Sequence, residues 1–186
     1  MPRSIPNILI LAGLHLLSCT SRIKEMSAND VVFTSIFGDS KTDSTQTYCL
    51  LGRGYFRAPM SKNTDSLIKN WITTHPKAIL IPVATHGPTL TDHPNSKMTY
   101  CWLIDKNDTL NNDLIRNGCF PGGTMMRPDT WDEMSDRQKS IYDEKPIMTV
   151  EIGEKEYNRF IEQIKVAEAE ARKSRRGIWN KPANED

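Results

Sequence analysis

Between Glu154 and Arg176 the apolar residues Tyr157, Phe160, Ile161, Ile164, Ala167 and Ala171 recur at the i, i+3, i+4, i+7 spacing of an α-helix. They form one stripe, while Glu162, Lys165 and Arg172 cover the remaining surface. Such a helix must bury its stripe, because apolar surface left in water costs about 25 cal/mol per Å². The chain therefore has to supply a second layer for it to lie on. Gly177 is placed to stop the helix, and Trp179 to fold back onto its last turns.

That second layer is predicted upstream, as strands. Val31-Val32-Phe33 and Ile36-Phe37 are β-branched and aromatic, and Gly38-Asp39-Ser40 after them has turn composition. Thr45 to Leu51 predicts another strand, and Ile79 to Val83 a further one, with Pro82 marking an edge or a bulge. Thr99 to Ile104 is the last clear strand of this half and ends in the turn Asp105-Lys106-Asn107-Asp108. Ser61 to Thr74 puts Leu67, Ile68, Trp71 and Ile72 on one helical face. Leu110 to Asn117 predicts a short helix stopped by Gly118. Pro121 to Gly153 is loop-rich, with one strand-like piece at Ile147 to Ile152. Strands first, helices between them and a long helix last describe an α+β domain.

The beginning of the chain belongs to a different class. Ile8 to Leu17 is apolar apart from Gly13 and His15, and Arg3 is the charge before it. The run is too short for a spanning helix, which needs about 20 apolar residues, and has the form of an export signal. It ends in Leu16-Leu17-Ser18-Cys19, which resembles the bacterial lipoprotein signal motif. The resemblance implies cleavage after residue 18, with Cys19 lipidated. Residues 19–30 would then be a polar tether, and the protein would be exported and lipid-anchored in the bacterial cell envelope. A signal cleaved without lipid is the alternative.

Of 186 residues, 24 are basic and 23 acidic, so loss of Arg3 with the signal makes the mature chain formally neutral. That excludes retention of nucleic acid by bulk charge. Four cysteines are too few for a disulfide scaffold. What remains is one domain over residues 31–179, with an insert at 121–153 and a tail at 180–186.

Two blocks of the second half carry a resemblance. Thr99-Tyr100-Cys101-Trp102-Leu103-Ile104, the polar turn and Leu110-Asn111-Asn112-Asp113-Leu114-Ile115-Arg116-Asn117-Gly118 resemble the strand, turn and helix of staphylococcal-nuclease-like (thermonuclease) domains. Ala167 to Trp179, with its Glu-Ala repeat and its Gly177-Ile178-Trp179 ending, resembles that family's closing helix. The resemblance implies a five-stranded OB-type β-barrel with three helices. The spacing between the blocks exceeds the family's, so part of the insert is an addition.

The family's chemistry needs oxygen ligands for Ca²⁺, a carboxylate to activate water, and guanidinium groups for the phosphate charge. Here Ile36-Phe37-Gly38-Asp39-Ser40 resembles the family's Asp-Gly-Asp-Thr with Phe37 in the first position. The resemblance implies a metal-ligand role for Asp39, and for Arg53 and Lys97 the positions of the two catalytic arginines. Arg57-Ala58-Pro59-Met60 falls on Asp-x-Pro-Glu, which puts Arg57 on a metal ligand and Met60 on the catalytic Glu. A guanidinium does not ligate Ca²⁺, and a thioether takes no proton from water. The bland readings are a turn residue for Asp39 and a surface charge for Arg53.

The expectation is a degenerate nuclease-like domain that binds nucleic acid or another ligand without Ca²⁺-dependent hydrolysis. Ca²⁺ enters only if activity is retained. The alternatives are a divergent active phosphodiesterase and an envelope interaction protein. The partners implied are a membrane surface through Cys19, single-stranded nucleic acid, and a protein on residues 121–153. His86, Asp92 and His93 lack regular metal-site spacing. By the family's count, Cys49 and Cys101 fall on neighbouring strands, where either a bond or buried thiols can stand.

Overall fold

The computed structural model describes residues 25–90 and 92–180. The apolar run, Cys19 and residues 181–186 lie outside them.

The strands are β1 (Met26–Ser27), β2 (Val31–Phe33), β3 (Phe37–Ser40), β4 (Gln46–Cys49), β5 (Ile79–Gly87), β6 (Lys97–Asp105), β7 (Asp108–Thr109) and β8 (Ile147–Val150). The α-helices are α1 (Thr64–Thr74), α2 (Leu110–Arg116), α3 (Asp136–Lys139) and α4 (Glu154–Lys173). The α+β class holds. All strands belong to one mixed sheet in the order β1-β5-β6-β4-β3-β2, with β7 added to β6 and β8 to β5. Only β4 and β6 pair in parallel. The end members β1 and β2 are joined by the short 3-10 turn Ala28–Asp30. One stretch of chain thus serves both ends of the order, and the sheet curls strongly, as a half-barrel.

Two strand expectations change. Gly38, Asp39 and Ser40 lie within β3, opposite Phe33, Val32 and Val31, and not in a turn. The reason is packing: a Cβ on Gly38 would come within 2.7 Å of both Phe33 and Val31, so glycine lets those core side chains lie across the strand. Met26 and Ser27, placed by their polar surroundings in the tether, pair with Leu80 and Ile79. The ordered domain therefore begins ahead of Val31. Pro82 does mark a bulge, since the β5–β6 register shifts between Pro82 and Ala84.

The core runs between the sheet and helices α2 and α4. Leu80, Leu103, Ile68, Leu110, Leu114 and Ile115 are fully buried. From α4, the predicted stripe supplies Phe160, Ile164, Ala167 and Ala171 to that core. Phe160 stacks on Trp102 of β6 with ring centroids 3.8 Å apart. Trp179 folds back, and the Arg172 guanidinium lies 3.5 Å from its ring centre.

Asn111 of α2 ties this layer to the sheet. Its Nδ2 donates to the carbonyls of Leu50 at 2.6 Å and Cys101 at 3.1 Å, and its Oδ1 accepts from the Leu103 amide at 3.1 Å. The amide thus fills the gap where β4 and β6 diverge. The helix ends are joined as well. Gly118 (φ 67°) stops α2, whereas α4 closes before Gly177, at Ser174 and the left-handed Arg175 (φ 48°). Gly177 (φ 53°) opens the 3-10 turn Gly177–Trp179, from which the Ile178 amide donates to the Gly118 carbonyl at 2.9 Å. A Cβ on Gly118 would lie 2.1 Å from the Arg176 oxygen, and one on Gly177 2.1 Å from the Gly118 oxygen.

Candidate functional site

The three residues with implied nuclease roles are held by three separate pieces of backbone. Asp39 sits on β3 between Val32 and Thr47, exposed, in a row that continues to Met98. Paired residues share a face, and successive residues of a strand alternate faces. Asp39 therefore lies on the face of Met98, and Lys97 lies on the other one. Lys97 pairs with Gln46, at the Asp39 end of the β3–β4 hairpin. Arg53 leaves the opposite end, beyond the Phe37–Cys49 pair. The register does not bring Asp39, Arg53 and Lys97 to one point. Arg57 and Met60 are both exposed.

Arg53 is engaged elsewhere. Its Nη1 donates to both oxygens of Asp129 at 2.6 and 2.7 Å, and its main-chain amide donates to the Met126 carbonyl at 2.6 Å. Asp129 also accepts from Gln138 Nε2 at 3.0 Å. The insert is thus locked onto the loop after β4. Beside it, Arg127 makes a two-pronged bond to Glu133 at 2.6 and 2.7 Å, and the Thr130 amide donates to the same carboxylate at 2.8 Å. These bonds hold the Glu133 carboxyl far below its ordinary range, at about 2. Within the insert, Ser135 and Gln138 form a reciprocal capping box that starts α3.

A cavity of about 310 Å³ opens on the face that Lys97 occupies. Its floor is two rows of residues drawn from four strands. One row carries Tyr48, Thr99, Thr85 and Thr149. In the other, Gln46 pairs with Lys97, and Gly87 pairs with Ile147. Gly87 and Lys97 adjoin: a Cβ on Gly87 would be 2.8 Å from the Ser96 oxygen and 3.3 Å from Lys97 Cγ. Gln46 Nε2 donates to Thr99 Oγ1 at 3.0 Å, and the Thr85 and Thr99 hydroxyls are 2.8 Å apart. Pro82, Pro88 and Pro94 wall the opening, and Glu151 stands at its far end.

Metal chemistry has little to work with here. Among the described residues no three His, Cys, Asp or Glu side chains come together as a metal cluster. His86 is turned inward, with its Nε2 buried and unpartnered, and desolvation pushes its pKa down. Cys49, Cys101 and Cys119 are buried free thiols. Cys101 Sγ donates to the Cys49 carbonyl at 3.5 Å, and burial raises the Cys49 thiol to about 12.

No protein-family model matches the chain, and no curated protein matches it either.

Sequence reasoning found Lys97 but not its setting. The alternation Gln46, Tyr48 and Lys97, Thr99 carries a period-two signal, yet only the parallel β4–β6 pairing sets these residues side by side. Asp129 carries no local signal at all: its partner Arg53 lies 76 positions away.

Proposed function

We propose that this chain is a staphylococcal-nuclease-like OB domain that binds rather than hydrolyses, exported and held at a membrane surface by lipidated Cys19. The observation that carries the reading is the engagement of Arg53 by Asp129 of the insert. Nη1 holds both Asp129 oxygens, so the carboxylate neutralises the guanidinium and a phosphate would have to compete with it for that nitrogen. Asp39 and Lys97 on opposite faces, with Arg57 and Met60 in the positions of two carboxylates, agree with it.

The curled mixed sheet is consistent with an OB-like barrel. The family reading takes β1/β2 as one interrupted strand beside β3, β4, β5 and β6, with a parallel third–fifth pair, and sets β7 and β8 outside the barrel. Helices α1, α2 and α4 make three, and α3 and β8 belong to the insert. In this reading single-stranded nucleic acid is a ligand held by local contacts and not by net charge, and the insert is a protein-contact surface.

The test is incubation of the purified domain from Thr20 to Asp186 with Ca²⁺ and single-stranded DNA or RNA. No turnover is expected. Turnover that Asp39→Ala abolishes overturns the proposal. The anchor is tested separately: the full chain expressed in a bacterium is expected in the detergent phase, and Cys19→Ala in the aqueous phase.

A further inference from the structure

We propose that the cavity over β4, β5, β6 and β8 is a binding site for a short peptide of two or three residues, held by both of its free ends. The inference shares Lys97 with the nuclease-like reading but uses neither Asp39 nor Arg53.

The first argument is the inventory of protons at the Lys97 end. Thr99 and Ser96 are buried, at 4% and 5% exposure. Gln46 donates to Thr99, and Thr85 and Thr99 share one bond between their hydroxyls, so one hydroxyl proton of that pair has no acceptor. Ser96 Oγ accepts the amides of Thr89 and Leu90, both at 2.9 Å, which leaves its own proton free to donate. Each of these hydroxyls is bonded already, and the spare protons leave donor capacity for an acceptor that enters the cavity. Lys97 lines the same cavity, with no carboxylate in an ion pair with it among the described residues. Asp43 feels its charge only weakly, after the two Thr45 hydrogen bonds that mainly lower that carboxyl. Donors and a cation at one end suit a carboxylate.

The opposite end has the opposite character. Among the described residues Glu151 accepts only from Thr149, at 2.9 Å, and carries no ion pair. It suits an ammonium group. Between the ends the walls are proline, Met26 and Ile147, which suit small apolar side chains. The length agrees. From Ile147, in the Lys97 row, to Glu151 is about 13 Å at the rise of a strand. An extended tripeptide covers about 10 Å, and the two charged side chains bridge the remainder. The cavity holds roughly ten waters by volume, comparable to a ligand of about ten to fifteen non-hydrogen atoms.

The experiment is calorimetric titration of the full chain with Gly-Ala-Gly in three forms: free ends, N-acetylated and C-amidated. Binding of the free form is expected, with each cap weakening it by about tenfold, the worth of one charge-assisted contact. Lys97→Met should remove the preference for the free carboxylate and keep that for the free amine. Glu151→Gln should do the reverse. Both side chains are exposed, so both variants are expected to fold, with circular dichroism as the check. Failure of the free peptide to bind overturns the proposal, as does equal binding of all three forms. So does a nucleoside 3′,5′-bisphosphate that binds at Lys97 while the peptide does not. The peptide outcomes leave the Ca²⁺-dependent turnover assay unchanged, so the two readings fail separately.

Discussion

Arg53 and Asp129 meet at 2.6 Å across 76 positions of sequence, and through that pair the insert is fastened to the loop after β4. Both side chains keep contact with water, at 42% and 26% exposure, so the pair contributes to position more than to stability. Arg53→Ala is expected to lower unfolding free energy by no more than about 1 kcal/mol. The same change should speed amide exchange across residues 126–140, because the Gln138 contact to Asp129 loosens with it. Hydrogen exchange read by mass spectrometry separates the local effect from the global one.

Asn111 should be far less tolerant. It is fully buried and serves the Leu50 and Cys101 carbonyls and the Leu103 amide. Asn111→Leu leaves three main-chain groups without partners in the core, at a cost of about 3 kcal/mol or more. Urea denaturation should show the midpoint falling with little change in slope.

Acid should open the insert before it unfolds the domain. The Glu133 carboxyl, bonded to Arg127 and Thr130, titrates at about 2 in the fold against an ordinary value of 4.5. A depressed carboxyl stabilises the fold above its unfolded pKa, and that contribution is lost as pH falls through the folded value. The contribution is complete above about pH 4.5 and fades toward pH 2. Protection against exchange at residues 127–133, taken relative to the intrinsic rate at each pH, should fall over that window in the wild type. In Glu133→Gln it should be low at all pH values.

The joined helix ends predict a reciprocal pair of sensitive glycines. Gly177→Ala forces a side chain into left-handed backbone and against the Gly118 carbonyl. A loss of roughly 1–3 kcal/mol is expected by thermal unfolding. Gly54, also left-handed but with open space around it, should cost less on the same change.

The thiols should be inert while the domain is folded. Burial raises Cys49 to about 12 and also raises Cys101 and Cys119, so little thiolate exists near neutral pH. Cys49, Cys101 and Cys119 are expected to react with a disulfide reagent only in denaturant. Fast labelling of the native protein at these positions refutes the burial argument.

Helices α1, α2 and α4 were legible in the sequence because their signals are local. The stripe from Tyr157 to Ala171 and the stop Gly118 sit within a few residues of the turns they control. The four-residue α3 was read as loop, and the left-handed end of α4 falls on Arg175 and not on Gly177. Asn111 was visible as part of a motif, and the structure supplies its reason: three main-chain bonds. Gly38-Asp39-Ser40 was misassigned because its strand character comes from Phe33 and Val31 packing over it, a tertiary effect that no propensity encodes. The site was the least legible part. Its floor needs four strands in register, and the partner of Arg53 is a lone Asp in a loop.

Returning to the sheet order, β1 and β2 stand at its two ends and yet share one short run of chain. Most sheets lose one edge strand when trimmed at a terminus. Here a cut through Ala28–Asp30 would free β1 and strip its cover from β5, while trimming through Phe33 would bare β3 as well. Two unpaired ladders would then face solvent together, and the trimmed product should seek strands from other copies of itself rather than persist as a smaller monomer.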